Sequence, residues 1–171
     1  MIRLLKDWGV ALAVGVAIFY AANMLSQGSG PARGMAPPFT LVNAEGGTTS
    51  LAEYQGKTVV LNFWGSWCSP CRAEIPEFAS WAADHPDVPV LGIAVRSGEG
   101  AQLAENTRRL GVNYPVLEST SEVLDAYGVD GYPTTVVIDG DGQIVSSRSG
   151  RMGRSELDTL VAAATPKPSG P

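Results

Sequence analysis

The 171-residue chain contains two cysteines, and they stand two residues apart as Cys68-Ser69-Pro70-Cys71. Two thiols at that spacing can pass between a dithiol and a disulfide. They close too small a loop to stabilise a fold much by restricting the unfolded chain. A structural disulfide framework uses more cysteines joined across longer loops. Reactivity or metal binding therefore remains. Zinc usually takes four ligands, and the chain offers one histidine, His85, set next to Pro86. Thiol chemistry is the stronger reading. The thiolate is the nucleophile, and the positive end of a helix with its free amides favours it. Cys68 precedes a helix and can meet solvent. Cys71 lies one turn in and is partly covered, which suits it to resolve a mixed disulfide. Pro70 fits an early helical position, where a missing N–H costs little.

The elements around this pair follow from pattern. TVVLNFW (58–64) is an apolar strand broken only by Asn62. CRAEIPEFASWAA (71–83) has helical spacing, with Ile75, Phe78 and Ala79 as its buried stripe. PVLGIAV (89–95) is the next strand, AQLAENTRRL (101–110) a helix stopped by Gly111, VNYPVLES a short strand and SEVLDAYG a short helix. TTVVID (134–139) and QIVSSRS (143–149) form a hairpin across Gly140-Asp141-Gly142. SELDTLVAAA (155–164) closes the domain with Ser155 as cap. Ahead of these, FTLVNAEGGTTSLAEY makes an extra N-terminal β-hairpin turning at Glu45-Gly46-Gly47. Strand–helix alternation followed by a terminal hairpin predicts an α/β fold, a mixed central sheet with helices on both faces.

The first segment is different. Trp8 to Leu25 is 18 residues without a charge, apolar all round. A bilayer core needs roughly 20 such residues, so one transmembrane helix within residues 1–25 is expected. A cleaved signal peptide competes, but its apolar core is shorter and Tyr20-Ala21-Ala22 is a poor cleavage site. Arg3 and Lys6 precede the run and only Arg33 follows soon after, which points the N-terminus into the cytoplasm. Residues 26–38, rich in Gly, Ser and Pro, read as a flexible linker, 39–165 as the folded domain and 166–171 as a disordered tail. The net charge is −5, with no basic run, which excludes a nucleic-acid footprint.

VVLNFWGSWCSPCRAEIPEF resembles the thioredoxin superfamily, and more narrowly the membrane-anchored TlpA/ResA-like thiol:disulfide oxidoreductases and the cytochrome c maturation thioredoxins. Pro76, five residues after the second cysteine, matches the proline that kinks the family's active-site helix. The segment IAVRSGEGAQLAENTRRLGVNYPV also resembles a group linked to suppression of copper sensitivity; Arg96 and Ser97 there are assigned no chemistry. Gly131-Tyr132-Pro133-Thr134-Thr135 matches the family's cis-proline loop. If the Tyr132–Pro133 bond is cis, the loop packs beside the cysteines and Tyr132 can pair with an extended substrate strand. The resemblance thus implies Cys68, Cys71, Glu74 and Pro133 as catalytic, with Trp67, Tyr132 and Pro133 against substrate. Thioredoxin itself carries a buried aspartate six residues before its first cysteine, where this chain has Asn62. Glu74, three residues after Cys71, is either a proton shuttle with a raised pKa or a solvated helix residue.

The function expected is dithiol–disulfide exchange, in the reducing direction, by a single-pass bacterial inner-membrane protein whose catalytic domain is periplasmic. Strong oxidants of this fold resemble the DsbA type, with a histidine between the cysteines; Ser69-Pro70 supplies no such charge. The resemblance implies protein dithiol or disulfide substrates, apocytochrome c among them, and a trans-membrane electron donor of the DsbD/CcdA type. No cofactor beyond the Cys68–Cys71 pair, and no metal, is expected. The rivals are a disulfide-donating oxidase, a copper-binding module and a thiol peroxidase. Peroxidases place proline and threonine ahead of the reactive cysteine where this chain has Leu61 and Gly65.

Overall fold

A computed structural model describes residues 34–164, together with Val16. The expected membrane span, the linker up to residue 33 and the tail lie outside the described residues. Six strands form one mixed sheet in the order β1-β8-β7-β4-β5-β6. At its centre β4 (Val59–Trp64) runs parallel to β5 (Val90–Ala94) and antiparallel to β7 (Thr134–Ile138). β6 (Val116–Glu118) extends the parallel side. β8 (Gln143–Ser149) extends the antiparallel side and is flanked by the two-residue β1 (Gly34–Met35). All six residues of β4 are buried, as a continuous apolar run covered on both faces should be.

The pleat of β4 divides the core. Val59, Leu61 and Phe63 pack with Tyr127 and Val123 on one face, beneath α3 (Ser121–Ala126). Val60 packs with Phe78, Trp81 and Leu157 on the other, beneath α1 (Ser69–Asp84) and α4 (Arg154–Ala164). α2 (Gly100–Arg109) adds Leu103 to a third cluster, with Trp64 and both cysteines. The predicted hairpin is a separate ribbon of β2 (Thr40–Val42) and β3 (Thr48–Ser50). It leans on the sheet edge through an Asn43–Leu117 bridge and an Ala44 N–H to Val116 carbonyl bond of 2.9 Å.

Three sequence expectations need correction. The folded domain starts before residue 39. Gly34 and Met35 pair with β8, the Ala36 N–H donates to the Gly142 carbonyl at 2.8 Å, and Ala36 is buried. Local composition read this stretch as linker because its partner lies more than a hundred residues away. In α1 the buried stripe is Ile75, Phe78 and Trp81, with Ala79 half-buried. Ser155 does not cap α4. The helix already includes Arg154, and Glu156 accepts the Gly153 N–H at 3.0 Å.

Candidate active site

β4 delivers the chain to a tight turn, Gly65-Ser66-Trp67, and then to Cys68. The Cys68 N–H donates to the Gly65 carbonyl at 3.0 Å. Cys68 is the N-cap of α1 in extended conformation, and its sulfur accepts the Cys71 N–H at 3.3 Å. Pro70 occupies the opening of the helix, where its missing N–H leaves no bond unmade. Cys68 and Cys71 form a disulfide across a Cα separation of 5.3 Å. Cys68 is 5% exposed and Cys71 is 0%. Both are more enclosed than the sequence implied, but the inequality has the expected direction.

The turn is held from the β5–α2 loop. Ser97, buried, accepts the Ser66 N–H at 2.8 Å and donates to the Val95 carbonyl at 3.0 Å. Asn106 of α2 anchors the Ser97 carbonyl, and Arg72 of α1 donates to the Ser66 carbonyl at 2.9 Å. Trp67 donates its indole N–H to the Val95 carbonyl at 3.0 Å yet stays 48% exposed. Gly65 makes this possible, since a Cβ there would lie 2.7 Å from the Trp67 ring. Arg96 places its guanidinium 5.1 Å from the Trp67 ring centre, a cation–π distance. Its backbone is left-handed, φ 44°, which is uncommon for a residue with a side chain. Arg96 and Ser97, assigned no chemistry from the sequence, hold the turn and the Trp67 ring that precede Cys68. The signal available was only that they directly follow a buried strand.

The Tyr132–Pro133 bond is cis, and the Pro133 carbonyl accepts the Gly150 N–H at 2.8 Å. The Tyr132 ring meets Trp67 edge-on, centroids 5.6 Å apart, and packs on the cluster containing both cysteines. The loop therefore lies beside the disulfide. Trp67 and Tyr132 form an aromatic wall next to Cys68.

Glu74 is fully buried, which rules out the reading as a solvated helix residue. Its carboxylate accepts the Asn62 side-chain amide at 2.8 Å and the Met152 N–H at 3.1 Å. Burial pushes its pKa up to about 7, while these two donors and Arg151 hold it back. Glu74 stands one turn from Cys71 on the same helix face. Asn62 cannot exchange a proton, but its amide fixes the orientation of the Glu74 carboxylate. Met152, 78 residues away, was not readable from the motif. His85 caps the far end of α1, stacked on Trp81 at 4.2 Å, remote from the cysteines. Among the described residues no three His, Cys, Asp or Glu side chains gather in a metal-binding arrangement.

The AhpC/TSA family profile matches residues 32–147. The chain is 38% identical over 152 residues to the thiol-disulfide oxidoreductase ResA of Bacillus subtilis (strain 168), covering 88% of this chain and 82% of that one. It is 34% identical to ResA of Geobacillus thermodenitrificans, covering 90% and 89%. Among solved structures, a thiol:disulfide interchange protein of the thioredoxin family from Chlorobium tepidum TLS superposes with a TM-score of 0.69 at 30% identity, covering 78% and 97%. StoA from Bacillus subtilis superposes with a TM-score of 0.63 at 26% identity, covering 74% and 97%.

Proposed function

Because the chain belongs to the AhpC/TSA family and is a thiol-disulfide oxidoreductase of the ResA type, we propose that it works as a reductant of protein disulfides outside the cytoplasm. The observation that carries the reading is the inequality of the two sulfurs. Cys68 sits at a helix N-terminus with an amide N–H on its sulfur and a small opening to solvent. Cys71 has no opening and lies one turn from a carboxyl that titrates near neutrality.

In the reduced protein the Cys68 thiolate attacks one sulfur of a substrate disulfide. A mixed disulfide forms and the first substrate thiolate leaves. Cys71 gives its proton to the Glu74 carboxylate, and its thiolate attacks the Cys68 sulfur. The Cys68–Cys71 disulfide closes and the second substrate thiolate leaves. Two electrons have passed to the substrate. Trp67, Tyr132 and Pro133 form the wall along which an extended substrate segment lies.

The apolar segment Trp8–Leu25, read as an inner-membrane anchor with the N-terminus cytoplasmic, keeps the domain near a trans-membrane dithiol donor of the DsbD/CcdA type. Cysteines of an apocytochrome c haem site are the substrate class that the family resemblance implies. The test is to equilibrate the chain with glutathione or dithiothreitol buffers and to mix Cys71→Ala with a disulfide substrate. A potential near or below about −220 mV, with a mixed disulfide trapped on Cys68, is expected. A potential near about −120 mV would overturn the reducing direction. No trapped adduct would overturn the assignment of Cys68.

A further inference from the structure

Among the described residues, six buried side-chain polar atoms have no hydrogen-bond partner. Four of them belong to residues on or over one face of the sheet, around Gly92. Asn62 of β4 stands opposite Gly92 of β5 and Thr135 of β7. Side chains paired across strands share a face, and so does Trp64, two residues along β4. That face is the one under α1, because Asn62 reaches Glu74 there. Gly92 contributes no side chain, and two rings lie over it. A Cβ on Gly92 would be 2.8 Å from Trp64 Nε1 and 3.1 Å from Tyr114 Cε2. Asn62 Oδ1, Trp64 Nε1, Tyr114 Oη and Thr135 Oγ1 therefore belong to residues on or over the sheet face on which Glu74 lies, all buried and all unpartnered. Leaving four such atoms dry would cost a sum that rivals the net stability of a domain. Buried polar groups that no protein atom satisfies are met by internal water.

We infer that these side chains bind internal water against Glu74, and that Tyr114 is a positioning residue that donates its hydroxyl hydrogen through that water to the ionised carboxylate. The inference rests on Glu74 as the acceptor of the Cys71 proton. The bridge steadies the carboxylate in the form that can take that proton. The other groups that bear on Glu74 are Arg151, from the segment ahead of α4, and Cys71, one turn back. The closeness of Glu74 also raises the Tyr114 pKa, after burial, so the phenol stays a donor.

The experiment is a carbon-13 NMR titration of the Glu74 carboxyl in the oxidised full chain, with internal water counted by deuterium relaxation dispersion. Tyr114→Phe keeps the ring over Gly92 and removes only the hydroxyl. It should raise the Glu74 midpoint by about half a unit to one unit, with loss of a long-lived water. Thr135→Val should move the midpoint the same way. Tyr127→Phe removes a buried hydroxyl that bonds the Pro37 carbonyl instead, and should lower stability without moving the midpoint. An unmoved midpoint in a folded Tyr114→Phe chain, or no long-lived water in the unsubstituted one, would overturn the inference. The oxidised chain does not turn over, so the titration is read independently of whether Cys68 traps a substrate.

Discussion

The burial of Glu74 has a cost in stability that can be measured. Burial lifts its pKa from 4.5 to about 7 in the folded chain, whereas in the unfolded chain it titrates as an ordinary carboxyl. Between those values the folded state binds more protons than the unfolded state. The contribution of Glu74 is therefore fullest below about pH 4.5, falls as pH rises through 7, and is level above. The gap corresponds to about 3 kcal/mol across the window. Glu156, held low by the Gly153 N–H and then by Arg148, acts only in the acid range below this window. Urea unfolding of the oxidised chain from pH 5 to pH 8 should show the fall, and Glu74→Gln should abolish it. An equal slope in both proteins would mean that Glu74 stays ionised throughout and has no proton to manage. A buried carboxyl kept at this cost beside a reactive cysteine is what proton transfer near neutrality requires.

At the scale of elements, the site depends on the registers of β4, β5 and β7. Asn62, Gly92 and Thr135 lie in one row, and the absent side chain in the middle admits the Trp64 and Tyr114 rings. Gly92→Ala would press a methyl group against two buried rings and should lower stability by about 1–3 kcal/mol. Gly131, with open space around its Cα, should accept alanine within about 0.5 kcal/mol in the same denaturation assay. Equal effects would mean that the rings give way and that Gly92 is not needed to seat them. Of this layer, the motif made the cysteines, the helix and the cis Pro133 loop legible, and it left Glu74 open between a buried and a solvated carboxyl. Local pattern also made β4 legible, because a continuous apolar run has one structural use there. It could not supply Met152, Tyr114 or Ser97 as partners. Each reaches the site through a sheet register or a loop from a distant part of the chain, and one sequence encodes no such pairings locally.

For the whole molecule, the difference between the read and the observed domain boundary predicts a stability difference. Gly34-Met35-Ala36-Pro37-Pro38 is rich in Gly and Pro, and by composition it is a tether. Its first two residues are nevertheless the edge strand of the sheet, and Ala36 is part of the core. A chain starting at residue 39 would lose the β1–β8 pairing, the Ala36–Gly142 hydrogen bond and the burial of Ala36. It would also lose the Pro37 carbonyl that accepts the Tyr127 hydroxyl at 2.7 Å, stranding that hydroxyl in a buried ring packed against Phe63. Each bond is worth about 1 kcal/mol and a stranded buried hydroxyl costs about as much again, so the shorter chain should be less stable by about 3 kcal/mol than one starting at residue 31. Tyr127→Phe separates the parts of this loss. In the longer chain it removes a satisfied hydrogen bond and should cost about 1 kcal/mol. In the shorter chain the hydroxyl has no partner, and the same substitution should be neutral or stabilising. Chemical denaturation of the four proteins measures the coupling directly. If the two chain lengths were equally stable, and Tyr127→Phe cost the same in both, residues 34–38 would be a tether after all and the sheet would end at β8.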